Sequence, residues 1–352
     1  MSFKRINRTA LAMAVAIFVL ASCVSGGKRS EMTTQPVVLP AVTSALQIIH
    51  AERHNTGGFS ALWVSPDCTR MVTVSDYSQA KDALLDQPVR RSGWYQVELH
   101  FDEHDRLSDM TFVNRGQLRD LDASILQGAV ESMAWDNSGF LFSFDDSGTI
   151  YRYEKPESLT STDIAGTLNS IPVVAYTQSN FGHGNLGLES ITLLQDGDLL
   201  ALWETKSDEI PAKGRLLKLD GSKLDLSYVT GASPGGATTL SDGSLLILEK
   251  RWLGAAKGQR LRLVRINPND ISKTMQQQEI SGEVLLDQIS TLYDNNEGIA
   301  SCVRDGKEWV FVITDDNGDW NRANVEDKGR TRQRTLLLQF SLDELISRVA
   351  NR

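Results

Sequence analysis

Residues 236–249 read GATTLSDGSLLILE, which is an apolar segment, an Asp-Gly turn and a second apolar segment that ends in an acid. Apolar runs of about five residues on both sides of an Asp-Gly turn are typical of two strands in a hairpin. This turn chemistry excludes a helical solenoid. The stretch therefore predicts all-β structure.

The order of apolar segment, turn and second apolar segment ending in an acid occurs five times, in repeats that open near Gly58, Glu131, Leu188, Gly236 and Asn296, and the turn is Asp-Gly in the last three. Further alternating segments, such as 94–99 and 215–219, follow the hairpins and bring each unit to about four strands. Repeats of four strands at intervals of roughly 50 to 70 residues are typical of a β-propeller. We expect five blades, or six if a degenerate blade lies within 58–129.

The two ends of the chain predict how the ring closes. An apolar segment at 45–52 precedes the first repeat, whereas the fifth repeat has only 336–340 after its hairpin. An N-terminal strand is therefore expected to complete the last blade and close the ring. The Ser341 and Glu344 spacing of a capping box predicts a short C-terminal helix. A single propeller domain is predicted over 41–352.

Composition limits the functions that are open to this chain. It has 352 residues with 45 Asp and Glu against 36 Lys and Arg, and hydrophobic residues make up 41%. These values fit a soluble globular protein and exclude a polytopic membrane protein. The net charge is −9 and becomes −12 without 1–22, because that segment contains three basic residues and no acid. Nucleic acid is not expected as a partner, since phosphate binding depends on clustered Lys and Arg.

The N-terminus has the pattern of an export signal. Residues 1–22 combine a basic start with the apolar stretch 10–20, and Leu20-Ala21-Ser22-Cys23 resembles a bacterial lipobox. We expect cleavage before Cys23, lipidation of that cysteine and a polar tether over 23–40, so that the lipid is the only membrane attachment. Val24 favours the outer membrane, facing the periplasm. The alternative is a plain signal peptide with an incidental cysteine.

The other two cysteines lie in the hairpins of the first and fifth repeats, which are neighbours in a closed ring. An exported compartment permits Cys68 and Cys302 to pair, and we predict a disulfide at the closure. The alternative is two buried free thiols.

Acidic residues recur at one end of the predicted channel. The first strands start at Glu131, Glu189 and Glu297, and second strands end at other acids, including Asp315 and Asp316. Antiparallel pairing places both sets at one end of the channel, which we name the acidic mouth. Converging carboxylates repel one another, and a hard divalent cation such as calcium relieves this with oxygen ligands. The alternative is that these acids bind exposed amides or solvate the channel.

A basic segment interrupts this pattern after Glu249, where Lys250 and Arg251 stand in place of acids. Arginine beside carboxylates or a metal suits a phosphate or carboxylate ligand. Its alternative role is a salt bridge to a neighbouring acid.

Five of these segments, in order, resemble the phytase-like family described as "esterase-like activity of phytase". They are 57–62, 187–191, 235–237 with 248–251, 296–300 and 314–317. The resemblance spans about 45–342 and implies a propeller with hydrolytic action on phosphate or carboxylic esters. The sequence has Glu131-Ser132 and Glu189-Ser190 where the family is expected to have Glu-Gly, so the geometry of those strand starts is open.

These features together predict a metal-assisted hydrolase of small phosphate esters in the cell envelope. Glu131, Glu189, Glu297, Asp315 and Asp316 are the expected calcium ligands. The alternative role of Glu297 is catalytic, as a general base, and Arg251 would neutralise transition-state charge. The alternative is a non-catalytic propeller that binds a ligand or protein partner at the same face, which the absence of an evident nucleophile favours.

Overall fold

The computed structural model describes residues 32–39, 41–50, 58–75, 80–81, 88–89, 92–118, 129–136, 139–144, 150–154, 174–176, 187–205, 211–254, 256–271, 278–293, 295–315 and 335–351. The chain divides into two compact units, Met1–Ser30 and Glu31–Arg352, and all described residues belong to the second. The predicted signal segment 1–22 and the predicted lipidation site Cys23 lie outside the described residues.

The described chain is built from strands, a short helical turn at 268–271 and the C-terminal helix α1 (Leu342–Ala350). The strands are β1 (Met32–Pro36), β2 (Ser44–His50), β3 (Phe59–Val64), β4 (Arg70–Ser75), β5 (Ala80–Lys81), β6 (Pro88–Val89), β7 (Gly93–Phe101), β8 (Leu107–Gln117), β9 (Val130–Trp135), β10 (Gly139–Phe144), β11 (Ile150–Glu154), β12 (Val174–Tyr176), β13 (Leu188–Leu193), β14 (Leu199–Trp203), β15 (Ala212–Leu217), β16 (Lys223–Tyr228), β17 (Ser233–Thr239), β18 (Leu245–Trp252), β19 (Gln259–Ile266), β20 (Glu279–Ile280), β21 (Glu283–Ser290), β22 (Asn295–Arg304), β23 (Lys307–Asp315) and β24 (Thr335–Ser341).

Five large sheets form the blades of a β-propeller, as the repeats predict. From the inner strand outwards, the sheets are β3-β4-β7-β8 (blade 1), β9-β10-β11-β12 (blade 2), β13-β14-β15-β16-β20 (blade 3), β17-β18-β19-β21 (blade 4) and β22-β23-β24-β2-β1 (blade 5). Each inner strand contacts the inner strands of two neighbouring blades, so the five inner strands form a ring. The all-β prediction and the five blades are confirmed.

The hydrophobic core is divided among the junctions between blades. Five buried clusters lie between successive blades around the ring. Strand β18 shows why: Leu245 and Ile247 pack towards blade 3, whereas Leu246 and Leu248 pack towards blade 5. Because side chains alternate across a strand, apolar residues on both faces stabilise two junctions at once.

Two blades contain more than the four strands expected. Strand β2 pairs with β24 and β1 pairs with β2, so blade 5 combines strands from both ends of the described chain. Strand β1 lies within the predicted tether 23–40, and this part of the segment is therefore sheet. In blade 3, β20 adds in parallel to β16. Within 58–129, the described residues form blade 1 and the two-stranded sheet β5-β6, and they contain no sixth blade.

The predicted C-terminal helix is present as α1. The Glu344 backbone N–H donates to Ser341 Oγ at 3.4 Å, which is half of the predicted capping box. Leu342 and Leu345 are buried in the cluster between blades 4 and 5. Among the described residues, none belongs to a helix of the length and apolarity needed to cross a membrane.

A disulfide joins Cys68 to Cys302 across 234 residues of sequence, with Cα atoms 5.5 Å apart. It links the turn between β3 and β4 in blade 1 to inner strand β22 in blade 5. Beside it, the Val303 backbone N–H donates to the Pro66 carbonyl at 3.3 Å. The bond therefore lies at the junction predicted for it.

Removing this bond should lower the free energy of unfolding by about 2–5 kcal/mol, because the disulfide restricts a long loop of the unfolded chain. The measurement is urea unfolding of the wild type with and without reductant, compared with Cys68→Ser/Cys302→Ser. The double variant should match the reduced wild type and should not respond to reductant. Equal midpoints for the oxidised and reduced wild type would contradict the prediction.

Candidate functional site

The inner strands of all five blades contain a β-bulge near the start of the strand. In each pairing of an inner strand with the second strand, one inner-strand residue has no partner. These five bulge residues are Ser60, Glu131, Glu189, Gly235 and Glu297. A bulge redirects a side chain and is frequent next to functional sites. Each of the five blades thus has a bulge at the equivalent position of its inner strand.

Three of the bulge residues form one cluster, the glutamate triad of Glu131, Glu189 and Glu297. Carboxylate oxygens of the three residues lie within 4.8 Å of one another. Glu189 and Glu297 are each only 5% exposed, whereas Glu131 is half-buried. The structure therefore brings together the three strand-start glutamates of the sequence analysis, and the serines after Glu131 and Glu189 do not prevent this.

A lysine that the sequence analysis did not select lies in contact with the triad. Lys250 Nζ donates to Glu189 Oε2 at 3.0 Å and to Glu297 Oε2. Lys250 is 7% exposed and lies on the same face of β18 as Leu246 and Leu248, which face blade 5. A cation from blade 4 thus joins carboxylates from blades 3 and 5.

Gly235 leaves room for this lysine at the bulge position of blade 4. A Cβ atom at residue 235 would lie 2.9 Å from Lys250 Cδ and 2.8 Å from the Asn296 carbonyl oxygen. Both separations are shorter than van der Waals contact, so any larger residue would displace the lysine stem or the neighbouring backbone. Gly235 on β17 therefore leaves the space that the Lys250 side chain on β18 occupies.

Charge and burial change the protonation of this cluster. Burial raises the pKa of Glu297 to about 8, with Lys250 opposing the rise and Glu189 and Glu204 adding to it. Burial alone would lower the pKa of Lys250, but Glu189, Glu297 and Glu204 raise it well above its ordinary value. A single ammonium does not balance several carboxylates, and the remaining negative charge favours a proton on Glu297.

The other predicted site residues lie beside the triad or elsewhere. Arg251 follows Lys250, so its side chain leaves the opposite face of β18, and its cross-strand partner is Arg260. Asp315 is buried and pairs with Asn295, whose amide donates to Glu297 Oε1, but Asp315 is not a member of the triad. Asp316 lies outside the described residues. The catalytic and ligand roles stay predictions.

The acid before Lys250 belongs to a second buried network, on the blade 3 side of β18. Glu249 is 1% exposed and accepts hydrogen bonds from Tyr228 Oη at 2.7 Å, Thr230 Oγ1 at 2.6 Å and Arg262 Nη1. Asp287 lies 3.4 Å from Arg262 Nε. These three hydrogen bonds tie blade 3 to blade 4 through Glu249, which is not part of the triad.

The triad has the donor atoms that a divalent cation requires. Three carboxylates supply hard oxygen ligands, the kind that calcium and magnesium take, and their oxygens are close enough to share one ion. The fit is correct in ligand type, but the Lys250 ammonium already contacts two of the three carboxylates. A buried acidic triad that can hold a divalent cation is therefore present, and an internal cation contacts it.

Sequence comparison identifies the family of this fold and site. The family model "Phytase-like: Esterase-like activity of phytase" matches residues 54–318, which includes the whole glutamate triad, Gly235 and Lys250. No curated protein matches the chain.

Solved structures with similar folds are distant. A luciferin-regenerating enzyme has 10% identity and a TM-score of 0.43, with 88% of this chain and 96% of that one covered. The Malassezia sympodialis allergen Mala s 1 has 11% identity and a TM-score of 0.40, with 88% and 89% covered. Myxococcus xanthus glutaminyl cyclase has 10% identity and a TM-score of 0.40, with 82% and 94% covered. These values are too low to indicate an activity. The family match covers most of the chain, and the protein belongs to the phytase-like family.

Proposed function

We propose that the protein is a metal-assisted hydrolase of small phosphate esters, with its reaction centre at the glutamate triad. The observation that carries the proposal is the triad itself, in which three carboxylates from three blades meet within 4.8 Å inside the region that matches the family. The proposal includes attachment to the cell envelope through a lipid on Cys23, which the lipobox-like segment supports.

The residues of the triad have separable tasks in this proposal. Glu131, Glu189 and Glu297 would hold the divalent cation, which when bound supplies charge neutralisation of phosphate oxygens and a more acidic water. Alternatively, Glu131 and Glu189 would hold the cation and Glu297 would act as the general base. Burial raises the pKa of Glu297 to about 8 without a metal, in the range that a general acid or base requires. The Asn295 amide donates to Glu297 Oε1 and fixes that carboxyl.

Arg251 keeps the role of a cation for substrate charge in the proposal. Its side chain is half-buried near the end of β18, next to Lys250 in sequence and opposite Arg260 on the neighbouring strand. Because Asp287 already accepts hydrogen bonds from the Arg260 guanidinium, Arg251 would supply the positive charge for a phosphate or carboxylate group.

The test is phosphate release from phytate and from p-nitrophenyl phosphate by the purified full chain, with calcium and with a chelator. We expect turnover with calcium only, and a loss of about 10²–10⁴-fold in Glu297→Gln, the usual size of a general acid–base contribution. The matched control is Glu283→Gln, which changes an exposed glutamate of β21 and should leave turnover unchanged. Absence of release in both conditions would refute the phosphatase.

A non-catalytic propeller is the second candidate, and the burial of the site favours it. Glu189 and Glu297 are nearly inaccessible and both bind Lys250, so the carboxylates already have a partner. In that case the protein binds a ligand or protein partner at the acidic mouth without turning it over. Calcium that changes stability without supporting turnover would favour this candidate.

A further inference from the structure

The ring of bulge positions contains a built-in cation. Four of the five positions carry a side chain with oxygen, in Ser60 and the three glutamates, but blade 4 has Gly235. The space beside Gly235 contains the stem of Lys250, whose ammonium continues into the triad. Blade 4 therefore contributes a positive charge where blades 2, 3 and 5 contribute negative ones.

We propose that the Lys250 ammonium and a divalent cation are mutually exclusive occupants of the glutamate triad, and that the resting protein holds the lysine there. This rests on the proposed function only for the choice of a divalent cation as the second occupant. Metal entry then requires Lys250 to leave the carboxylates, and the lysine regulates the site.

The distances place both cations at the same carboxylates. A calcium ion bound by the triad lies roughly 2.3–2.6 Å from each ligand oxygen. Lys250 Nζ is 3.0 Å from Glu189 Oε2 and hydrogen-bonded to Glu297 Oε2, so it lies against two of the carboxylates that would hold the ion. An ammonium and a dication that share these carboxylates in a buried site would be within a few ångströms of each other and would repel strongly.

The charge of the surroundings explains why a second cation is still attracted. Glu204 acts on both Lys250 and Glu297, so three carboxylates act on one ammonium, and Glu131 lies beside two of them. A single positive charge leaves this group negative overall. A divalent cation that replaces the lysine balances the carboxylates better, which makes exchange of occupants a real equilibrium.

Calcium titration of the full chain by isothermal calorimetry tests the exclusion. We expect weak binding by the wild type and binding tighter by at least about a hundredfold in Lys250→Met, because the competing charge is gone. The control is Lys257→Met, which removes an exposed lysine in the turn after β18 and should bind calcium as the wild type does. Equal affinity in the wild type and Lys250→Met, or no binding by either, would overturn the proposal.

Amine labelling of the wild type tests the displacement without any variant, and it applies even if Lys250→Met does not fold. The full chain is acetylated briefly with and without saturating calcium, and each lysine is quantified by mass spectrometry, with Lys257 as the exposed reference. We expect slow labelling of Lys250 at rest and faster labelling with calcium. Calcium binding with unchanged labelling of Lys250 would overturn the proposal.

These readouts separate the proposal from the proposed function. Affinity and labelling report the occupant of the triad and require no turnover. If no phosphate is released but calcium exchanges with Lys250, the hydrolase is refuted and the exclusion stands. If phosphate release depends on calcium but Lys250 stays protected, the exclusion is refuted and the hydrolase stands.

Discussion

Lys250→Met should lower the free energy of unfolding by about 3–5 kcal/mol near pH 9, and by much less near pH 5, when no divalent metal is present. The large effect is expected because the change removes the cation from buried carboxylates and leaves their charge unbalanced. The variant keeps the length of the lysine stem, so the packing beside Gly235 changes little. The measurement is urea unfolding at several pH values.

The pH dependence follows from the direction of the pKa shifts. Burial raises the pKa of Glu297 to about 8 from an ordinary value of 4.5, so between these values the folded state holds a proton that the unfolded state has lost. The free energy of unfolding therefore falls as pH rises through this window. The pKa of Lys250 is raised, so its stabilising charge is present below about pH 10.5. Without it, carboxylate repulsion grows as the pH rises.

A compensating change separates charge from packing. Lys250→Met/Glu189→Gln should recover part of the lost stability at pH 9, because one of the unbalanced carboxylates becomes neutral. Lys257→Met should have almost no effect at any pH. A loss of stability that is the same at pH 5 and pH 9, or that Glu189→Gln does not relieve, would show that Lys250 acts through packing alone.

Glu249→Leu should destabilise the protein by about 3–5 kcal/mol, although Glu249 is not part of the triad. The change removes the acceptor of Tyr228, Thr230 and Arg262 and leaves a guanidinium at the junction of blades 3 and 4 without its closest carboxylate. Urea unfolding is the measurement. Glu283→Leu, at an exposed position of β21, is the matched control and should be nearly neutral.

A double-mutant cycle shows whether this network acts as a unit. Glu249→Leu/Arg262→Met should cost less than the sum of the single changes, because no buried charge remains unpaired in the double variant. Additive losses would mean that Glu249 and Arg262 stabilise the junction independently. The cycle measures the interaction energy between Glu249 and Arg262. The loss of stability in either single variant also includes the free-energy cost of the buried charge that is left unpaired.

The fold was predictable because each hairpin has a local sequence pattern. Apolar runs on both sides of Asp-Gly turns need no distant contact to be recognised, and their repetition predicts blades. The added strands β1 and β20 were not predicted. Met32–Pro36 and Glu279–Ile280 are short and have weak strand patterns of their own, so their pairing depends on the sheet edge they meet.

The glutamate triad was predictable, but its cation was not. Strand starts place Glu131, Glu189 and Glu297 together in any closed ring of these repeats. Strand periodicity predicts only that Lys250 and Arg251 lie on opposite faces of β18. It does not predict which of the two faces meets blade 5. Each inner strand contains one extra residue at its bulge. The bulge residues are serine, glycine and glutamate, so residue type does not predict the bulge positions. The contact between Gly235 and the Lys250 side chain can be recognised only in the three-dimensional structure.

The pairing of β2 with β24 has a consequence for the order in which the chain acquires structure. Residues 44–50 can pair early with 32–36, but their other neighbour in the last blade, 335–341, is synthesised near the end of the chain, and the disulfide spans 234 residues. Such distant contacts make folding slow and leave little native ring for the early part of the chain to join. The blade that joins both ends of the described chain can therefore be completed only after residues 335–341 have been synthesised.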